Sequence, residues 1–226
     1  METVLEARDV FKVFYTGPTK LHALKGINLQ VKRGEFTAIM GPSGSGKTTL
    51  LNIFGLLDRP SQGQLLFDGE FVQTLSDSTL SSIRANEIGI IFQTFNLIPY
   101  LTTRENIELP FLYSSKKGKT RARVLKAAQD VGLSSRLEHR PSELSGGEMQ
   151  HVAIARALCI DPKIILADEP TGNLDSENSK AVLELIQDAH KKGATILLIT
   201  HDPNVAAHAE RILFIQDGEI SGNEKR

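Results

Sequence analysis

The chain has 226 residues, of which 40% are hydrophobic, so it is long and apolar enough for one globular domain with a sizeable core. Its 26 lysines and arginines nearly balance its 27 aspartates and glutamates, which argues against a broad cationic surface for nucleic acid. A single cysteine excludes an intrachain disulfide, and no stretch of about 20 apolar residues predicts a membrane-spanning helix. We therefore expect a chain of the reducing cytoplasm that holds any anionic ligand locally.

The first third of the chain alternates apolar and polar residues in the manner of antiparallel strands. Residues 4–13 and 24–31 show this alternation, and Thr16-Gly17-Pro18 lies between them as a turn signal. A second hairpin is predicted over residues 63–72, with Asp68-Gly69 as its turn. These segments predict an antiparallel sheet at the edge of the core.

Four short aliphatic and β-branched runs predict buried strands that alternate with segments of helical character. This alternation is typical of an α/β fold built on a largely parallel sheet. The four runs are residues 36–40, 88–92, 164–167 and 194–199.

The middle of the chain is predicted to be helical. Residues 102–112 and 120–131 contain few β-branched clusters, and the loop 114–118 separates them. We expect a helical subdomain over about residues 94–144, inserted between the core segments 1–93 and 145–226. The basic run 116–123 is interpreted as a solvated loop and helix start.

A glycine-rich segment directly after the first buried strand fits the P-loop pattern. Residues 41–48 read GPSGSGKT, in which glycines let successive backbone N–H groups face phosphate oxygens, and the next helix adds the positive end of its dipole. Lys47 can reach the β- and γ-phosphates of a nucleotide, and Thr48 can coordinate Mg²⁺. The predicted phosphate-binding residues are Gly41, Ser43, Gly44, Ser45, Gly46, Lys47, Thr48 and Thr49.

The third buried strand ends in two acidic residues. Asp168 is suited to hold Mg²⁺ through its water shell, and Glu169 to polarise the water that attacks the γ-phosphate. The alternative is that both carboxylates simply enter solvent at the sheet edge. A P-loop in the same chain favours the catalytic interpretation.

Two further polar residues follow predicted strands. His201 comes after the strand 194–199 and can hydrogen-bond the γ-phosphate, and Gln93 can contact both Mg²⁺ and the attacking water. Taken alone, His201 is better explained as a helix cap or surface residue, and Gln93 as an ordinary loop residue. We assign both to the catalytic set because they share a chain with the P-loop and the acidic pair.

The segment 144–148, which reads LSGGE, resembles the signature motif of the ABC transporter family. Ser145 and two glycines before a helix predicted over about 148–158 form a second anion-binding helix N-terminus. The family order of P-loop, Gln93, signature, Asp168-Glu169, Asp175 and His201 runs through essentially the whole chain. The segments around the P-loop and Asp168 resemble the macrolide-exporter and lipoprotein-release (MacB/LolD) subfamily, which includes cell-division ATPases.

This resemblance implies a fold, an activity and partners. The expected fold is a P-loop NTPase (RecA-like) core with an antiparallel β subdomain and an inserted helical subdomain, and the expected activity is ATP hydrolysis with ATP and Mg²⁺. Two copies are expected to pack head to tail, with Asp175 at their interface. The signature residues expected to close over the other copy's ATP are Ser145, Gly146 and Gly147.

The resemblance also implies membrane partners. The chain is expected on the cytoplasmic face of the inner membrane, as a peripheral subunit that drives integral permease subunits for export or extraction of a substrate. The apolar and aromatic segment 94–100 is the expected docking loop. An alternative within the family is a mechanotransmission or cell-division complex that transports nothing.

Some positions carry open choices or departures from the family pattern. The adenine ring is expected to stack on Phe14, with Tyr15 as the adjacent alternative, although Phe14 could instead belong to the edge of the sheet core. Glu148 stands where many members have glutamine, and we expect activity to survive this difference. His151 stands where arginine is common, which affects the fine positioning of the signature helix.

Two other classes of protein fit the sequence less well. A soluble ABC-type ATPase that acts on DNA or ribosomes would carry a long coiled coil or a second ATPase module, and this chain shows neither pattern. A P-loop kinase for a small molecule has no use for the signature segment. We therefore expect no nucleic-acid partner.

Overall fold

A computed structural model of the chain describes residues 2–17, 19–114 and 118–225. The chain divides into two compact units, one formed by residues up to 80 together with those from 195 onward, and the other by residues 81–194. Pro18 of the predicted turn, and residues 115–117 of the predicted basic loop, lie outside the described residues. Among the described residues no helix is both long and apolar enough to cross a bilayer.

The described residues form ten strands and seven α-helices, with short 3-10 helices over Val72–Thr74, Leu109–Leu112 and Pro141–Glu143. The strands are β1 (Thr3–Thr16), β2 (Thr19–Lys32), β3 (Phe36–Met40), β4 (Gln62–Phe67), β5 (Glu70–Phe71), β6 (Ile88–Ile91), β7 (Ile164–Asp168), β8 (Ile196–Thr200), β9 (Arg211–Gln216) and β10 (Glu219–Lys225). The helices are α1 (Lys47–Phe54), α2 (Asp77–Glu87), α3 (Thr103–Glu108), α4 (Thr120–Asp130), α5 (Gly146–Leu158), α6 (Ser176–Lys191) and α7 (Pro203–Ala206).

The first unit contains the predicted antiparallel sheet. Its strand order is β2-β1-β4-β5, and β1 pairs antiparallel with both β2 and β4. The turn between β4 and β5 consists of Asp68 (φ 50°) and Gly69 (φ 83°), two consecutive left-handed residues of the kind that suits a two-residue hairpin. The hairpin prediction is confirmed, although β5 is only two residues long.

The first unit also holds the sheet on which the P-loop is mounted. Strand β3 lies between β8 and β9 and pairs parallel with both, with Met40 opposite Thr200 in the register with β8. Strand β10 pairs antiparallel with β9 at the edge. All five residues of β8 and four of the five in β3 are buried, which explains why these strands read as uninterrupted apolar runs.

The second unit is built on a parallel pair of strands, on helices α3 to α6 with most of α2, and on two of the short 3-10 helices. Strand β6 pairs with β7 so that Ile91 lies opposite Ala167. A Cβ atom added at Gly89 of β6 would lie 2.8 Å from the carbonyl oxygen of Ala157 in α5, so the glycine allows strand and helix to pack closely. The predicted helix 102–112 is α3 followed by a 3-10 turn, because Pro110 has no N–H to continue an α-helix.

Candidate functional site

The P-loop connects strand β3 to helix α1 in the first unit. Gly44 (φ 78°) and Gly46 (φ 102°) adopt left-handed backbone conformations, and Gly46 is the N-cap of α1, which begins at Lys47 as predicted. These conformations curl the chain over the N-terminus of α1, where backbone N–H groups have no partner within the helix. The loop therefore has the backbone form that binds phosphate.

Two glycines of the loop have no room for a side chain. A Cβ atom at Gly41 would lie 2.2 Å from the carbonyl oxygen of Ile215 in β9, and one at Gly46 would lie 2.5 Å from that of Ala23 in β2. The loop is also tied to the β9–β10 turn, since the Gly218 N–H donates to the carbonyl oxygen of Ser45 at 3.0 Å. The P-loop is thus packed against strands β2 and β9 and against the β9–β10 turn of its own unit.

The side chains of the loop fit a phosphate ligand. The Lys47 ammonium donates to the carbonyl oxygens of Gly41 and Pro42, each at 2.7 Å, which holds the charge against the loop. The Ser45 hydroxyl is buried and has no hydrogen-bond partner among the described residues. Because a buried polar atom without a partner is costly, this hydroxyl and the ammonium together suit an anion that accepts hydrogen bonds.

Other residues of the first unit that are predicted to bind the nucleotide or the metal are accessible to solvent. Ser43, Gly44 and Thr48 are exposed, and Thr49 is half-buried. Exposure leaves the Thr48 hydroxyl at the first turn of α1 able to take a metal ligand position, as its place in the motif requires.

His201 lies at the same edge of the parallel sheet as the P-loop. It follows Thr200 at the carboxyl end of β8, and Thr200 lies opposite Met40, the residue before the loop. The next residue, Asp202, caps α7 by accepting from the Asn204 N–H at 2.8 Å, and this cap fixes the path of the chain after His201. Structure and sequence therefore agree on where His201 stands, and its catalytic role stays a prediction.

The two candidate adenine-stacking residues lie next to each other on β1. Tyr15 is 70% exposed and Phe14 39% exposed, and the Lys12 ammonium lies 5.0 Å from the centroid of the Phe14 ring. Lys12 is itself held by Asp58 at 2.6 Å. Because successive side chains of a strand point to opposite faces, only one of the two rings can face a given ligand.

In the second unit, Gln93 and the acidic pair lie at the carboxyl ends of neighbouring parallel strands. Gln93 follows β6, and Asp168 ends β7. The Gln93 amide donates to the Asn173 side chain at 3.3 Å, and the Asn173 amide donates back to the Gln93 carbonyl oxygen at 3.0 Å. A Cβ atom at Gly172 would lie 2.7 Å from the Gln93 amide nitrogen, so the glycine leaves room for this pairing.

The acidic pair has an unusual backbone. Asp168 and Glu169 are both half-buried, and Glu169 has a φ of 44° although it is not glycine and precedes a proline. The Glu169 carbonyl oxygen accepts from the Gly172 N–H at 3.0 Å, which closes a tight turn directly after β7. Asp168 is therefore the last residue of β7, and Glu169 is the first residue of the turn that follows it.

The signature segment begins helix α5 with a capping box. The Ser145 hydroxyl accepts from the Glu148 N–H at 3.2 Å, and the Glu148 carboxylate accepts from the Ser145 N–H at 2.8 Å. The same carboxylate pairs with Arg136 at 2.9 Å. The Ser145 N–H and then the Arg136 guanidinium lower the pKa of Glu148 from 4.5 to about 2. The helix starts at Gly146, two residues earlier than predicted, because Ser145 already serves as the cap.

The structure brings the signature and the predicted interface residue Asp175 together. Asp175 is the N-cap of α6, where its carboxylate accepts from the Asn178 N–H at 2.9 Å and the Asn178 side-chain amide at 2.7 Å. These two bonds lower the pKa of Asp175. A Cβ atom at Gly147 would lie 2.1 Å from the Asn178 amide oxygen. Gly147 therefore must be a glycine while Asp175 holds Asn178 in this position.

His151 is more buried than a typical surface histidine. Burial lowers its pKa, and a hydrogen bond to the Val131 backbone and the charge of Glu148 act in the opposite direction. Its Nε2 atom is buried without a partner among the described residues. The imidazole thus joins α5 to the end of α4, a smaller contact than a guanidinium would make.

Three side chains that sequence reasoning did not single out organise the second unit. Gln150 and Asn106 are fully buried, and Arg156 reaches the backbone of the loop after Gln93. Asn106 alone bonds the backbone of Ile98, Leu101 and Thr102. The available signal was a polar residue with apolar neighbours on both sides in a helix, as Arg156 is between Ala155 and Ala157.

A comparison with known proteins agrees with this geometry. A family model described as ABC transporter matches residues 24–172. An ABC transporter ATP-binding protein of Thermotoga maritima is 47% identical, over 100% of this chain and 97% of that protein. The macrolide export ATP-binding/permease protein MacB of Chlorobium phaeobacteroides is 46% identical over 100% of this chain, which spans 34% of that longer relative.

Solved structures are similar over nearly the whole chain. The dimeric structure of MJ0796, an ABC transporter cassette of Methanocaldococcus jannaschii, is 44% identical with a TM-score of 0.90 and 98% coverage of both chains. A dimeric post-hydrolysis state of the same cassette, bound to ADP and Pi, is 43% identical with a TM-score of 0.89 and the same coverage. The predicted family resemblance and the α/β fold class of a P-loop NTPase are confirmed.

Proposed function

This chain belongs to the ABC transporter family and is an ATPase, and from these premises we propose that two copies of it associate head to tail around two ATP molecules to drive membrane permease subunits. One observation carries the proposal. The chain has two separate helix N-termini built for anions, α1 behind the P-loop and α5 behind Ser145, although one nucleotide's phosphates need only one such cradle.

We propose that the P-loop of each copy holds the phosphates of one ATP. The Lys47 ammonium exchanges its bonds to loop carbonyl oxygens for bonds to the β- and γ-phosphates, and the unpartnered Ser45 hydroxyl gains an acceptor. Glu169 then accepts the proton of the attacking water, His201 donates to the γ-phosphate, and Gln93 helps to orient the water.

Magnesium is expected to accompany the nucleotide. Thr48, Asp168 and Gln93 supply the hydroxyl, carboxylate and amide oxygens that Mg²⁺ prefers, and these side chains are exposed or half-buried. When bound, the ion neutralises charge that develops on the β- and γ-phosphate oxygens.

The second anion site is proposed to serve the other copy's nucleotide. Ser145 is exposed and Gly146 half-buried at the N-terminus of a 13-residue helix, so the Ser145 hydroxyl and the Gly146 N–H can be offered to a neighbouring molecule, whereas Gly147 is buried against Asn178. Asp175 shares this surface, since Asn178 joins it to Gly147. Its location supports the predicted interface role. A solved relative, MJ0796, is dimeric.

We propose that the second unit docks the membrane subunits. Tyr100 is 73% exposed in the loop after Gln93, and Leu112 and Tyr113 are 64% and 77% exposed after α3, so large apolar groups face solvent on this unit. Such docking makes the chain a peripheral subunit at the cytoplasmic face of the membrane. The name of the relative MacB, a macrolide export protein, supports export of a macrolide-like cargo, and the sequence resemblance adds peptides and lipoproteins as the other proposed classes.

The test is a Glu169→Gln substitution assayed for ATP turnover and for ATP-dependent dimerisation. We expect phosphate release to fall by about 10²–10⁴-fold, because general-base catalysis contributes on that order, while gel filtration with ATP shows a stable dimer. Glu177→Gln, at an exposed position of α6 in the same unit, is the matched control and should behave as wild type. Normal turnover by the Glu169 variant, or a wild-type rate per chain that is independent of protein concentration, would contradict the proposal.

A further inference from the structure

The proposed catalytic base stands on a strained backbone. Glu169 has a φ of 44°, a left-handed conformation that is uncommon for a residue with a side chain. A following proline disfavours helical backbone conformations at the preceding residue and favours extended ones. Such a conformation persists only where the surrounding structure holds it. The contacts of the Glu169-Pro170 turn therefore determine where the Glu169 side chain lies.

Gln150 supplies a side chain that holds this turn. It lies in the second turn of α5, has no solvent exposure, and donates from its amide nitrogen to the carbonyl oxygen of Pro170 at 2.7 Å. The same nitrogen lies 3.5 Å from the carbonyl oxygen of Phe92, the residue before Gln93. One amide group therefore contacts the backbone next to two of the predicted catalytic residues.

The Oε1 atom of Gln150 shows that packing alone does not account for a glutamine at this position. Its Oε1 atom is buried, and it has no hydrogen-bond partner among the described residues. A buried acceptor without a donor lowers stability, and an apolar side chain of the same length would avoid that penalty. We therefore look for the role of Gln150 in the two backbone carbonyl oxygens that its N–H groups contact, those of Pro170 and Phe92.

We propose that Gln150 is a positioning residue for ATP hydrolysis, which aims the Glu169 carboxylate by fixing the Pro170 carbonyl and steadies Gln93 through Phe92. The inference rests on the proposed function, in which Glu169 is the base. Proton transfer requires the base within hydrogen-bond reach of the water, and a displacement of about 1 Å can cost on the order of 10²-fold in rate. Gln150 touches neither ATP nor water in this scheme, because it acts through the backbone.

The first experiment replaces Gln150 by methionine, which has a similar length and no N–H donor. We expect kcat for ATP to fall by about 10–100-fold, with the KM for ATP within about twofold of wild type, because ATP is bound elsewhere and only the base is misplaced. Gln129→Met, at an exposed position of α4, is the matched control and should leave both constants unchanged.

The second experiment separates positioning from structural support. Gln150→Glu has nearly the same shape, but it can donate to Pro170 only when its carboxyl group is protonated. We expect its kcat, divided by that of wild type at the same pH, to rise at least about fivefold as the pH is lowered from 8.5 to 6. A role limited to folding would change the thermal midpoint and leave this ratio flat.

The outcomes distinguish the inference from the function on which it rests. If Glu169→Gln abolishes turnover while Gln150→Met keeps the wild-type kcat and the Gln150→Glu ratio is flat, the inference is overturned and the proposed function stands. Normal turnover by Glu169→Gln would overturn both. If Gln150→Met fails to fold, the pH dependence of the Gln150→Glu ratio alone decides the question.

Discussion

Arg156 is the residue whose loss should most directly disturb the loop after Gln93. Its guanidinium donates to the carbonyl oxygens of Phe95 at 2.8 Å and Asn96 at 2.6 Å. Both residues are left-handed, with φ of 60° and 50°, and neither is glycine. Arg156→Lys keeps the charge but replaces the two-pronged group with a single point of donation, so one of the two carbonyl bonds is lost.

The size of the effect follows from these contacts. A hydrogen bond to a charged group contributes about 1.5–3 kcal/mol, and the loss of one bond is partly offset as the left-handed backbone relaxes. We expect the free energy of unfolding to fall by about 2 kcal/mol, which corresponds to a thermal midpoint lower by about 4–8 °C in a chain of this size. Backbone amides of the loop should exchange with solvent about 30-fold faster.

The assay is hydrogen exchange by mass spectrometry combined with thermal unfolding. Arg121→Lys, at an exposed position of α4, is the control and should change neither measurement. If Arg156→Lys left exchange at residues 94–98 unchanged while the thermal midpoint fell, the reasoning that this guanidinium holds the loop would be refuted. In that case Arg156 would contribute only to the stability of α5.

Two further predictions concern the departures and open choices of the sequence. The Glu148 pKa is lowered from 4.5 to about 2, so its carboxylate stabilises the fold above pH 4.5 and loses this effect as the pH falls toward 2. Glu148→Gln, which keeps an acceptor for the cap, should therefore have a lower thermal midpoint than wild type at pH 6, and this difference should shrink as the pH is lowered toward 2, with ATPase activity at pH 7.5 within about twofold. If Phe14 stacks on adenine, Phe14→Ala should raise the KM for ATP about two- to tenfold and Tyr15→Ala should not; the reverse pattern would assign the role to Tyr15.

The strands that carry the site could be predicted because both of their faces are buried. Strands β3, β7 and β8 are short apolar runs followed at once by glycine or charged residues, and that change of composition marks the carboxyl edge of a parallel sheet. The turn at Asp68-Gly69 could also be predicted, because an Asp-Gly pair favours a two-residue hairpin. The hairpin of β9 and β10 has the same signal at Asp217-Gly218, with φ of 51° and 84°, but β9 is a largely apolar run without the polar alternation that marks a hairpin strand in the sequence.

The contacts that hold the site were less accessible to sequence reasoning. The left-handed backbone of Glu169 depends on Gln150, which is 19 positions away in the chain, and side chains of this kind have no short-range pattern. Gly147 was recognised as part of the signature, but its packing against Asn178 depends on how α6 is capped. Motifs identify the groups that touch a ligand, whereas the residues that aim those groups act through backbone atoms of distant segments.

Helix α5 carries both positioning side chains, Gln150 and Arg156, and begins at the signature residue Ser145. At about 1.5 Å per residue its 13 residues extend about 20 Å, and the stretch from the cap at Ser145, past Gln150, to Arg156 covers about 16 Å of this length. The helix packs closely against β6 at Gly89, and close packing of this kind favours displacement of the helix as one unit. If the proposed dimer draws Ser145 toward a second copy's nucleotide, Gln150 and Arg156 are carried with it, and both contact backbone beside Gln93. In the proposed function, helix α5 thus joins the closure over a second copy's nucleotide to the loop proposed for docking, without a separate relay of side chains.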